Sequence, residues 1–347
     1  MAIMGKKITV IGNLGQKTKP NGQTVRTKTV WETIEKYYSD DFDTIFIDAG
    51  GSKIVKLFLR WRLLSTSSII VIMPGPRSIN MVTHLLHFLG VSKRVIHVAI
   101  GGWLPDYIEN NRALLKREKS FHAVLVQMDS IRETLQIMGL DNVVWFPNYR
   151  NTSRINIPVK VPEKAPDKFV FYSRVVREKG VFTAVDAIKR LTDEGKDVLL
   201  DIYGPIDAPV RQELEKEIAG YSNIHYCGVL FGEEILQTLS QYDCMLFPTC
   251  YRGEGFPGAV LESMLAGVPA IATDWKYNSE IVKDGMTGII CGPQTTDSVY
   301  DSIQRIRTDI TLYRCISEGA YYEAEKYTGK AVTPILLDII DEIKCRS

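Results

Sequence analysis

The sequence predicts an α/β protein with two doubly wound, Rossmann-like domains, each built on a parallel sheet. Short apolar runs rich in β-branched residues alternate with segments of helical periodicity, which is typical of strands buried on both faces of a parallel sheet. The alternation stops once, at residues 147–168, where four prolines occur without an apolar period. The length of 347 residues fits two domains, since one domain usually takes about 100–200 residues.

Six strands are predicted before this interruption. The first follows Lys6 and Lys7, and its apolar run is too short for a signal peptide and lacks a small-residue cleavage site. Helices are predicted at 27–39, 78–90 and 130–139, and the last two end at glycines, which favour helix C-termini. The predicted strands are residues 8–13, 43–50, 68–75, 94–101, 122–128 and 142–147.

Six further strands are predicted after the interruption, again with helices between them. From about Ser302 the sequence is helical to its end. We therefore expect a first domain at 1–150, a second at 151–330 and a C-terminal helix at 331–347 that packs back toward the first domain. The predicted strands are 168–174, 198–204, 223–229, 244–249, 268–274 and 287–293, and the helices 184–191, 210–220, 233–242 and 257–267.

The composition excludes several classes of protein. Apolar residues make up 45% of the chain and charged residues 24%, an ordinary globular balance that rules out a disordered or collagen-like chain. No apolar run approaches the ~18 residues of a spanning helix. The six cysteines form no CxxC pair, which fits reduced thiols in a cytoplasmic protein.

The charge is distributed unevenly along the chain. Residues 1–150 hold 20 Lys and Arg against 12 Asp and Glu, whereas the rest holds 22 against 29. This asymmetry predicts that the first half faces an anionic partner. No nucleic-acid recognition motif is present, so we expect a membrane surface and a peripheral position on the inner face of the cell membrane.

Residues 52–64 are the predicted membrane face. On a helix, Lys53, Lys56 and Arg60 fall within an arc of about 60°, with Trp61 and other apolar side chains beside them. Such a helix can lie on an anionic bilayer. A core-packed helix with a solvated charged edge is the alternative. Residues 112–119 form a second basic segment.

The most informative loop follows the strand that ends at Phe247. Gly255 and Gly258 permit a ligand to approach the backbone, and the helix that begins near Gly258 offers unpaired N–H groups to an anion. The carboxylates of Glu254 and Glu262 suit vicinal hydroxyls. Together these features predict a nucleotide-sugar ligand. The alternative is that Glu262 caps the helix and Glu254 is a solvated loop residue.

Two other strand-to-helix loops are candidates for the same ligand. Arg174 and Lys179, in a turn closed by Gly180, could converge on a diphosphate. The alternative is that both are surface cations, as we expect for Arg177. The loop at 12–27 is neither a Walker A loop, because Gln16 stands where a glycine is needed, nor a GxGxxG fingerprint.

These residues, in this order, resemble family 4 glycosyltransferases of the GT-B fold. The resemblance rests on Arg174, Lys179-Gly180, the EGFPGAVLE run from Glu254 to Glu262, and residues 267–274. It implies two Rossmann-like domains that face each other across a cleft, and a retaining hexosyltransferase that uses a nucleoside diphosphate sugar without metal or other cofactor. A histidine expected after the fourth strand is absent, because His97 lies toward the strand interior and is predicted to be a core residue. A glycine pair is replaced by Trp275–Asn278, before the matching Glu280.

The resemblance also implies roles for individual residues. Arg174 and Lys179 would hold the diphosphate and stabilise the leaving group, Glu262 would hold the ribose hydroxyls, and Glu254 would hold the donor sugar. No nucleophile is assigned. The remaining donor-binding residues would be Gly22 near the phosphates, Gly255, Phe256, Pro257 and Gly258 beside the sugar, and Tyr203, Gly204, Val229 and Leu230 around the base.

The sequence therefore predicts transfer of a sugar from a UDP or GDP donor to a saccharide acceptor. The anionic partner favours a lipid-linked acceptor, as in capsule, exopolysaccharide or O-antigen assembly. A nucleotide-sugar epimerase and a non-catalytic sensor of the same ligand are the alternatives. The triplet Asp41-Phe42-Asp43 resembles a metal-binding DxD motif, but it precedes a strand and is predicted to be a solvated turn.

Overall fold

The computed structural model describes residues 6–15, 22–49, 60–151 and 157–346. The chain divides into two compact units, Met1–Asn151 with Gly329–Ser347, and Thr152–Thr328. Each unit contains a six-stranded sheet in which every recorded pairing is parallel. The predicted α/β class with two parallel sheets is confirmed.

The first unit alternates strands with helices up to residue 145. Its strands are β1 (Lys7–Gly12), β2 (Asp43–Asp48), β3 (Ile69–Ile72), β4 (Val95–Val98), β5 (Ala123–Val126) and β6 (Val143–Trp145). Its helices in this part are α1 (Gly22–Tyr38), α2 (Trp61–Thr66), α3 (Ile79–Phe88), α4 (Leu104–Glu109), α5 (Arg112–Ser120) and α6 (Asp129–Ile137). The strands lie in the order β2-β1-β3-β4-β5-β6.

The first sheet is buried on both faces. Ile69 and Val71 of β3 belong to a cluster that includes Val30 of α1, whereas Ile70 and Ile72 belong to one that includes Val82 of α3. Because successive side chains of a strand point to opposite faces, α1 and α3 lie on opposite sides of this sheet. This burial is why the strands could be recognised as continuous apolar runs.

The second unit has the same plan. Its strands are β7 (Lys168–Tyr172), β8 (Leu199–Tyr203), β9 (Ile224–Gly228), β10 (Cys244–Phe247), β11 (Ala270–Thr273) and β12 (Gly288–Cys291). Its helices are α7 (Val181–Asp193), α8 (Ala208–Ile218), α9 (Glu234–Leu239), α10 (Gly258–Leu265), α11 (Asn278–Ile281), α12 (Thr296–Thr308) and α13 (Ile310–Glu323). The order is β12-β11-β10-β7-β8-β9.

The chain ends in helix α14 (Gly329–Arg346), which belongs to the first unit. Val332 and Leu336 of α14 join the apolar cluster of α1. Within the described residues, no helix is both long and apolar enough to cross a membrane.

All twelve predicted strands are present, but several helices differ from the predictions. The C-terminal region is interrupted at Asp309 and Thr328 and is therefore not one continuous helix. Helix α1 begins at Gly22, ahead of the periodic stretch at 27–39. Helix α2 contains Trp61 to Leu64 of the predicted membrane helix, and Arg60 precedes it in a turn; Lys53 and Lys56 lie outside the described residues.

Candidate functional site

The second sheet has a topological switch point between β7 and β10. These two strands are neighbours, and the chain continues from β7 to β8 on one side and from β10 to β11 on the other. In open parallel sheets the crevice beyond the carboxyl ends of such strands is the usual place for a ligand. The loops that follow β7 and β10 contain the candidate residues Arg174, Lys179 and Glu254.

These two loops are tied directly to each other. The Cys250 N–H donates to the carbonyl oxygen of Glu178 at 2.8 Å. The side-chain amide of Gln294, which follows β12, bridges the same loops by donating to the carbonyl oxygens of Pro248 at 2.7 Å and Glu178 at 3.4 Å. Gly180, at φ +84°, lies so close that a Cβ there would stand 2.1 Å from the Pro248 oxygen. Only glycine fits this left-handed, crowded position.

Lys179 and Glu254 form a buried ion pair between the loops. Lys179 Nζ lies 2.5 Å from Glu254 Oε2, and the two side chains are only 9% and 8% exposed. The same oxygen accepts a hydrogen bond from Thr249 Oγ1 at 3.0 Å. Burial lowers the pKa of Lys179, while the charge of Glu254 acts in the opposite direction. Lys179 is therefore not a surface cation and Glu254 is not a solvated loop residue, whereas Arg174 is exposed.

The ring of Tyr251 contacts both candidate cations. Arg174 Cζ lies 4.9 Å and Lys179 Nζ 5.1 Å from its centroid, and Lys179 also lies 5.2 Å from the centroid of Phe247. The backbone carbonyl of Tyr251 accepts hydrogen bonds from Trp275 Nε1 at 2.8 Å and from the Glu254 N–H at 3.1 Å. The structure thus brings Arg174, Lys179 and Glu254 together around one aromatic residue.

Tyr251, Thr249 and Trp275 were not predicted from the sequence. An aromatic residue four positions after a strand end carries no signal by itself, and its contacts to Arg174 and Lys179 depend on the pairing of β7 with β10. Arg177, by contrast, is exposed as predicted: its side chain pairs with Glu213 and lies over the ring of Phe182.

The glycine-rich loop leads into α10. Gly255, Phe256 and Pro257 are buried, and Phe256 packs edge-on against Tyr327 at 5.3 Å between ring centroids. Helix α10 begins at Gly258, so its first N–H groups lie at the same edge of the sheet as the Lys179–Glu254 pair. Pro257 is the N-cap, and Glu262 is the half-buried fifth residue of the helix. Glu262 therefore does not cap α10.

The predicted base-binding residues lie at the carboxyl ends of β8 and β9, on one side of the switch point. Tyr203 ends β8, and its hydroxyl lies 3.1 Å from that of Tyr242, which donates to Asp201 at 2.6 Å. Gly204 follows at φ +142°, where a Cβ would collide with the Ser173 carbonyl oxygen at 1.7 Å. Val229 and Leu230 follow β9 and are exposed and half-buried, respectively.

The loop after β11 keeps a glycine-like backbone without glycine. Lys276 has φ +52°, and among the described residues it alone combines a side chain with positive φ. Trp275 and Asn278 anchor the loop on either side, through the Tyr251 carbonyl and, at 3.0 Å, the Thr273 carbonyl. The expected glycine pair is therefore replaced in sequence, and Lys276 adopts a left-handed backbone in this loop.

The remaining candidates lie in the first unit. Gly22 is the first residue of α1, and Trp61, the first residue of α2, is 49% exposed, with Arg60 exposed before it. His97 is fully buried, which confirms it as a core residue. Asp41 and Asp43 are exposed at the start of β2, and Asp41 pairs with Lys344 at 2.7 Å, so the predicted solvated turn is confirmed.

Chemically, the switch-point cluster is suited to an anion that carries hydroxyl groups. Arg174 and Lys179 can bind a diphosphate, as can the N–H groups at the start of α10. The Glu254 carboxylate balances Lys179 and has oxygens that accept from hydroxyl groups. No group of three or more His, Cys, Asp or Glu residues that could hold a metal ion occurs in the described parts of the chain.

Comparison with known proteins gives one family match. Residues 153–322, nearly half of the chain, match the model of the family "Glycosyl transferases group 1". The match covers the candidate residues of the second unit, including Arg174, Lys179, Glu254 and Glu262.

Individual relatives extend this similarity. The chain is 30% identical over 178 residues to an alpha-D-kanosaminyltransferase of Streptomyces kanamyceticus, covering 50% of this chain and 45% of that protein. It is 29% identical over 143 residues to the GtfA subunit of a UDP-N-acetylglucosamine–peptide N-acetylglucosaminyltransferase of Streptococcus pneumoniae, covering 41% and 27%. The chain thus spans less than half the length of these curated relatives.

Among solved structures, HepE of Anabaena in complex with UDP and glucose is similar over almost the whole chain. The match covers 97% of this chain and 100% of that one, with a TM-score of 0.72 at 14% identity. At this identity the likeness establishes the fold, which is that of the GT-B glycosyltransferases.

Proposed function

We propose that this chain, which carries a group 1 glycosyl transferase segment at residues 153–322, transfers a hexose from a nucleoside diphosphate donor to a saccharide acceptor with retention of anomeric configuration. The Lys179–Glu254 pair at the β7/β10 switch point is the observation that carries this proposal. A lysine and a glutamate held in contact there supply both the cation for a diphosphate and the carboxylate for a sugar.

In the proposed reaction, breakage of the sugar–diphosphate bond places negative charge on the leaving group. Arg174, Lys179 and the start of α10 would stabilise that charge without a metal ion. Glu254 would orient the sugar, and Glu262 the ribose. Preorganisation supports this scheme, because Lys179 is already buried and fixed by Tyr251 and Phe247.

We propose uridine diphosphate as the nucleotide of the donor. Two of the similar proteins support this choice by their names alone: HepE is described in complex with UDP and glucose, and GtfA as acting with UDP-N-acetylglucosamine. In this chain Tyr203, Gly204, Val229 and Leu230 would surround the base.

The proposed acceptor is a lipid-linked saccharide, reached by peripheral attachment to the inner face of the cell membrane. The excess of Lys and Arg in residues 1–150 supports this part of the proposal. The exposed Arg60 and Trp61 would take part in the attachment.

Thermal stabilisation by a panel of nucleoside diphosphates tests the donor site. We expect UDP to raise the melting temperature more than GDP or ADP do. Arg174→Gln should weaken this effect, whereas Arg177→Gln, an exposed cation of the same loop, serves as the matched control and should leave it unchanged. An Arg174→Gln variant that binds UDP like the parent would contradict the site assignment.

Product analysis with a UDP-sugar, with and without an acceptor, tests the reaction. Sugar transfer that persists in the presence of a chelator is the expected result. Conversion of the donor without acceptor would indicate an epimerase. Donor binding without turnover on any acceptor would favour a sensor, and activity that requires added Mg²⁺ or Mn²⁺ would overturn the metal-independent scheme.

A further inference from the structure

A groove between α3 and α5 lies on the opposite face of the first sheet from α1. It is shallow and open to solvent, with a volume of about 440 Å³, and we call it the α3–α5 groove; it is lined by Asn80, Met81, His84, Asn111, Ala113 and Arg117. Four of these six residues carry nitrogen donors, and none carries a carboxylate. Nothing in the proposed transfer reaction uses the groove.

The hydrogen bonds inside the groove fix the orientation of its amides. Asn80 Oδ1 accepts from Asn111 Nδ2 and from Arg117 Nη2, each at 2.9 Å. Asn111 Oδ1 accepts from the Leu114 N–H at 3.0 Å, as the N-cap of α5. Because these partners can only donate, the side-chain oxygens must face them. Both acceptor oxygens are therefore engaged inside the protein.

Several donors of the same residues remain for a ligand. Thr83 accepts from Arg117 Nε at 2.9 Å and donates to the Asn80 backbone carbonyl at 3.3 Å, so it is engaged as well. Within the described residues, Asn80 Nδ2, Arg117 Nη1 and the His84 ring make no hydrogen bond and can donate to a ligand. Partial burial lowers the pKa of Arg117. A donor-rich, carboxylate-free hollow selects an anion.

The two helices that line the groove are cationic and apolar, while the neighbouring α4 carries the exposed Asp106 and Glu109. Helix α3 contains no acidic residue, and Glu118, the single acidic residue of α5, is fully buried against His97. Lys116 is exposed on α5. Phe88 lies one helical turn beyond His84 on the same face and is 82% exposed.

We propose that the α3–α5 groove binds the phosphate of an anionic lipid, with Phe88 entering the edge of the bilayer. Phosphate matches the donors of Asn80 and Arg117, and a lipid surface matches the neighbouring Lys116 and the exposed ring. This proposal deepens the membrane attachment proposed above, and it does not depend on sugar transfer. Failure of either one can therefore be distinguished from failure of the other.

Co-sedimentation of the full chain with vesicles tests the proposal. We expect binding to phosphatidylcholine vesicles that contain phosphatidylglycerol, weaker binding at high salt, and little binding to phosphatidylcholine alone. Arg117→Gln and Lys116→Gln should each weaken binding about fivefold, the usual effect of one cation at an anionic surface. Phe88→Ser should weaken it about tenfold, since a buried aromatic side chain contributes at least that much.

Lys36→Gln is the matched control, because Lys36 is an exposed cation on α1, across the sheet from the groove. It should bind like the parent. If Arg117→Gln does not fold, Lys116→Gln and Phe88→Ser still test the proposal, because both residues are exposed. Equal binding to neutral vesicles, unchanged binding by these two variants, or binding of inorganic phosphate without any binding of vesicles would overturn the proposal.

Discussion

Each unit buries a pair of an acidic and a basic side chain, and the two pairs differ in what surrounds them. In the second unit Lys179 contacts Glu254 at 2.5 Å, and in the first unit His97 Nδ1 lies 2.9 Å from Glu118 Oε2. Both pairs are at least nine-tenths buried. By burial and distance alone, either could be the reactive centre of an enzyme.

The position of each pair in its sheet separates them. His97 lies within β4, paired in register with Ile72 and Val124, and Glu118 packs on it from α5. Among the described residues, the buried atoms His97 Nε2 and Glu118 Oε1 have no hydrogen-bond partner. Both side chains are fully buried between β4 and α5.

The Lys179–Glu254 pair lies instead in loops beyond the carboxyl ends of β7 and β10. The exposed Arg174 and the start of α10 are found at the same edge. In the proposed function a donor would bind at this edge of the sheet, beside Lys179. The comparison teaches that burial and a short distance do not by themselves identify a functional site. A buried acid–base pair indicates one only when it lies beyond the carboxyl ends of strands and has accessible groups beside it.

Removal of Lys179 should have the largest effect on activity. We expect Lys179→Met to lower kcat by about 10²–10³-fold, because a charge that stabilises the leaving group is lost. It should also destabilise the fold by about 3–5 kcal/mol, because Glu254 remains buried without its cation. Steady-state kinetics and chemical denaturation measure the two effects.

The double variant Lys179→Met/Glu254→Met separates stability from activity. Replacement of both charges by apolar groups should restore most of the stability but none of the activity. Lys189→Met, which removes a lysine of α7 that pairs with Glu217, is the control and should leave kcat unchanged. If Lys179→Met has the same kinetics as the parent, the Lys179–Glu254 pair has no role in activity, and the distinction between the two buried pairs fails.

The same substitutions in the first unit should affect stability alone. His97→Met leaves the Glu118 carboxyl group buried without its partner, so we expect a loss of about 3 kcal/mol in the free energy of unfolding. The double variant His97→Met/Glu118→Met should recover most of that loss. The kcat/KM of folded protein should match the parent in both variants. A large fall in kcat at full stability would instead make His97 a functional residue.

The sheets could be predicted from the sequence because parallel strands are buried on both faces and so appear as unbroken apolar runs. The helices that the sequence did not predict have a physical explanation. Helices α4 and α11 span at most six residues, too few to show a period of 3.6. Helix α5 buries only Leu114 and Glu118, so its sequence reads as a charged segment.

The site could be predicted only as separate loops. Arg174, Lys179, Glu254 and Glu262 follow from the chemistry of strand-to-helix loops and from the family resemblance. Contact between Lys179 and Glu254, 75 residues apart, depends on the adjacency of β7 and β10, which no local pattern specifies. For the same reason Tyr251, which contacts both cations, could not be recognised beforehand.

Tyr251 should have a moderate effect that distinguishes positioning from folding. Loss of its ring removes contacts with two cations, each worth about 0.5–2 kcal/mol. We expect Tyr251→Leu to weaken UDP binding about three- to tenfold while uridine binding stays unchanged, since only the diphosphate meets Arg174 and Lys179. Calorimetric titration with both ligands measures this difference.

Tyr251→Phe keeps the ring and is the matched control for that experiment. It should bind UDP like the parent, because no contact described above requires the hydroxyl group. Equal losses of UDP and uridine affinity in Tyr251→Leu would indicate a general disturbance of the loop, and would contradict a specific role for the ring at the two cations.

The smallest expected effect is a displacement of the alkaline limb of the pH profile. Burial lowers the pKa of Lys179 from its usual 10.5, and Glu254 partly offsets this. In the proposed reaction the protonated amine would bind the diphosphate, so kcat/KM for the donor should fall with a midpoint below 10.5. The folded chain then binds this proton less tightly than the unfolded chain. The free energy of unfolding should therefore rise as the pH is raised toward 10.5, because burial of the charged amine opposes folding.

Glu254→Gln removes the carboxylate that raises the pKa of Lys179, so the alkaline midpoint should move to still lower pH, whatever happens to the absolute rate. In the first unit, His97→Met should leave this midpoint where it is, since the His97–Glu118 pair has no part in donor binding. Profiles of kcat/KM report on the free enzyme and are the appropriate measurement. An alkaline limb that does not respond to Glu254→Gln would show that the two side chains do not titrate as partners, and that the buried pair of the second unit is structural like that of the first.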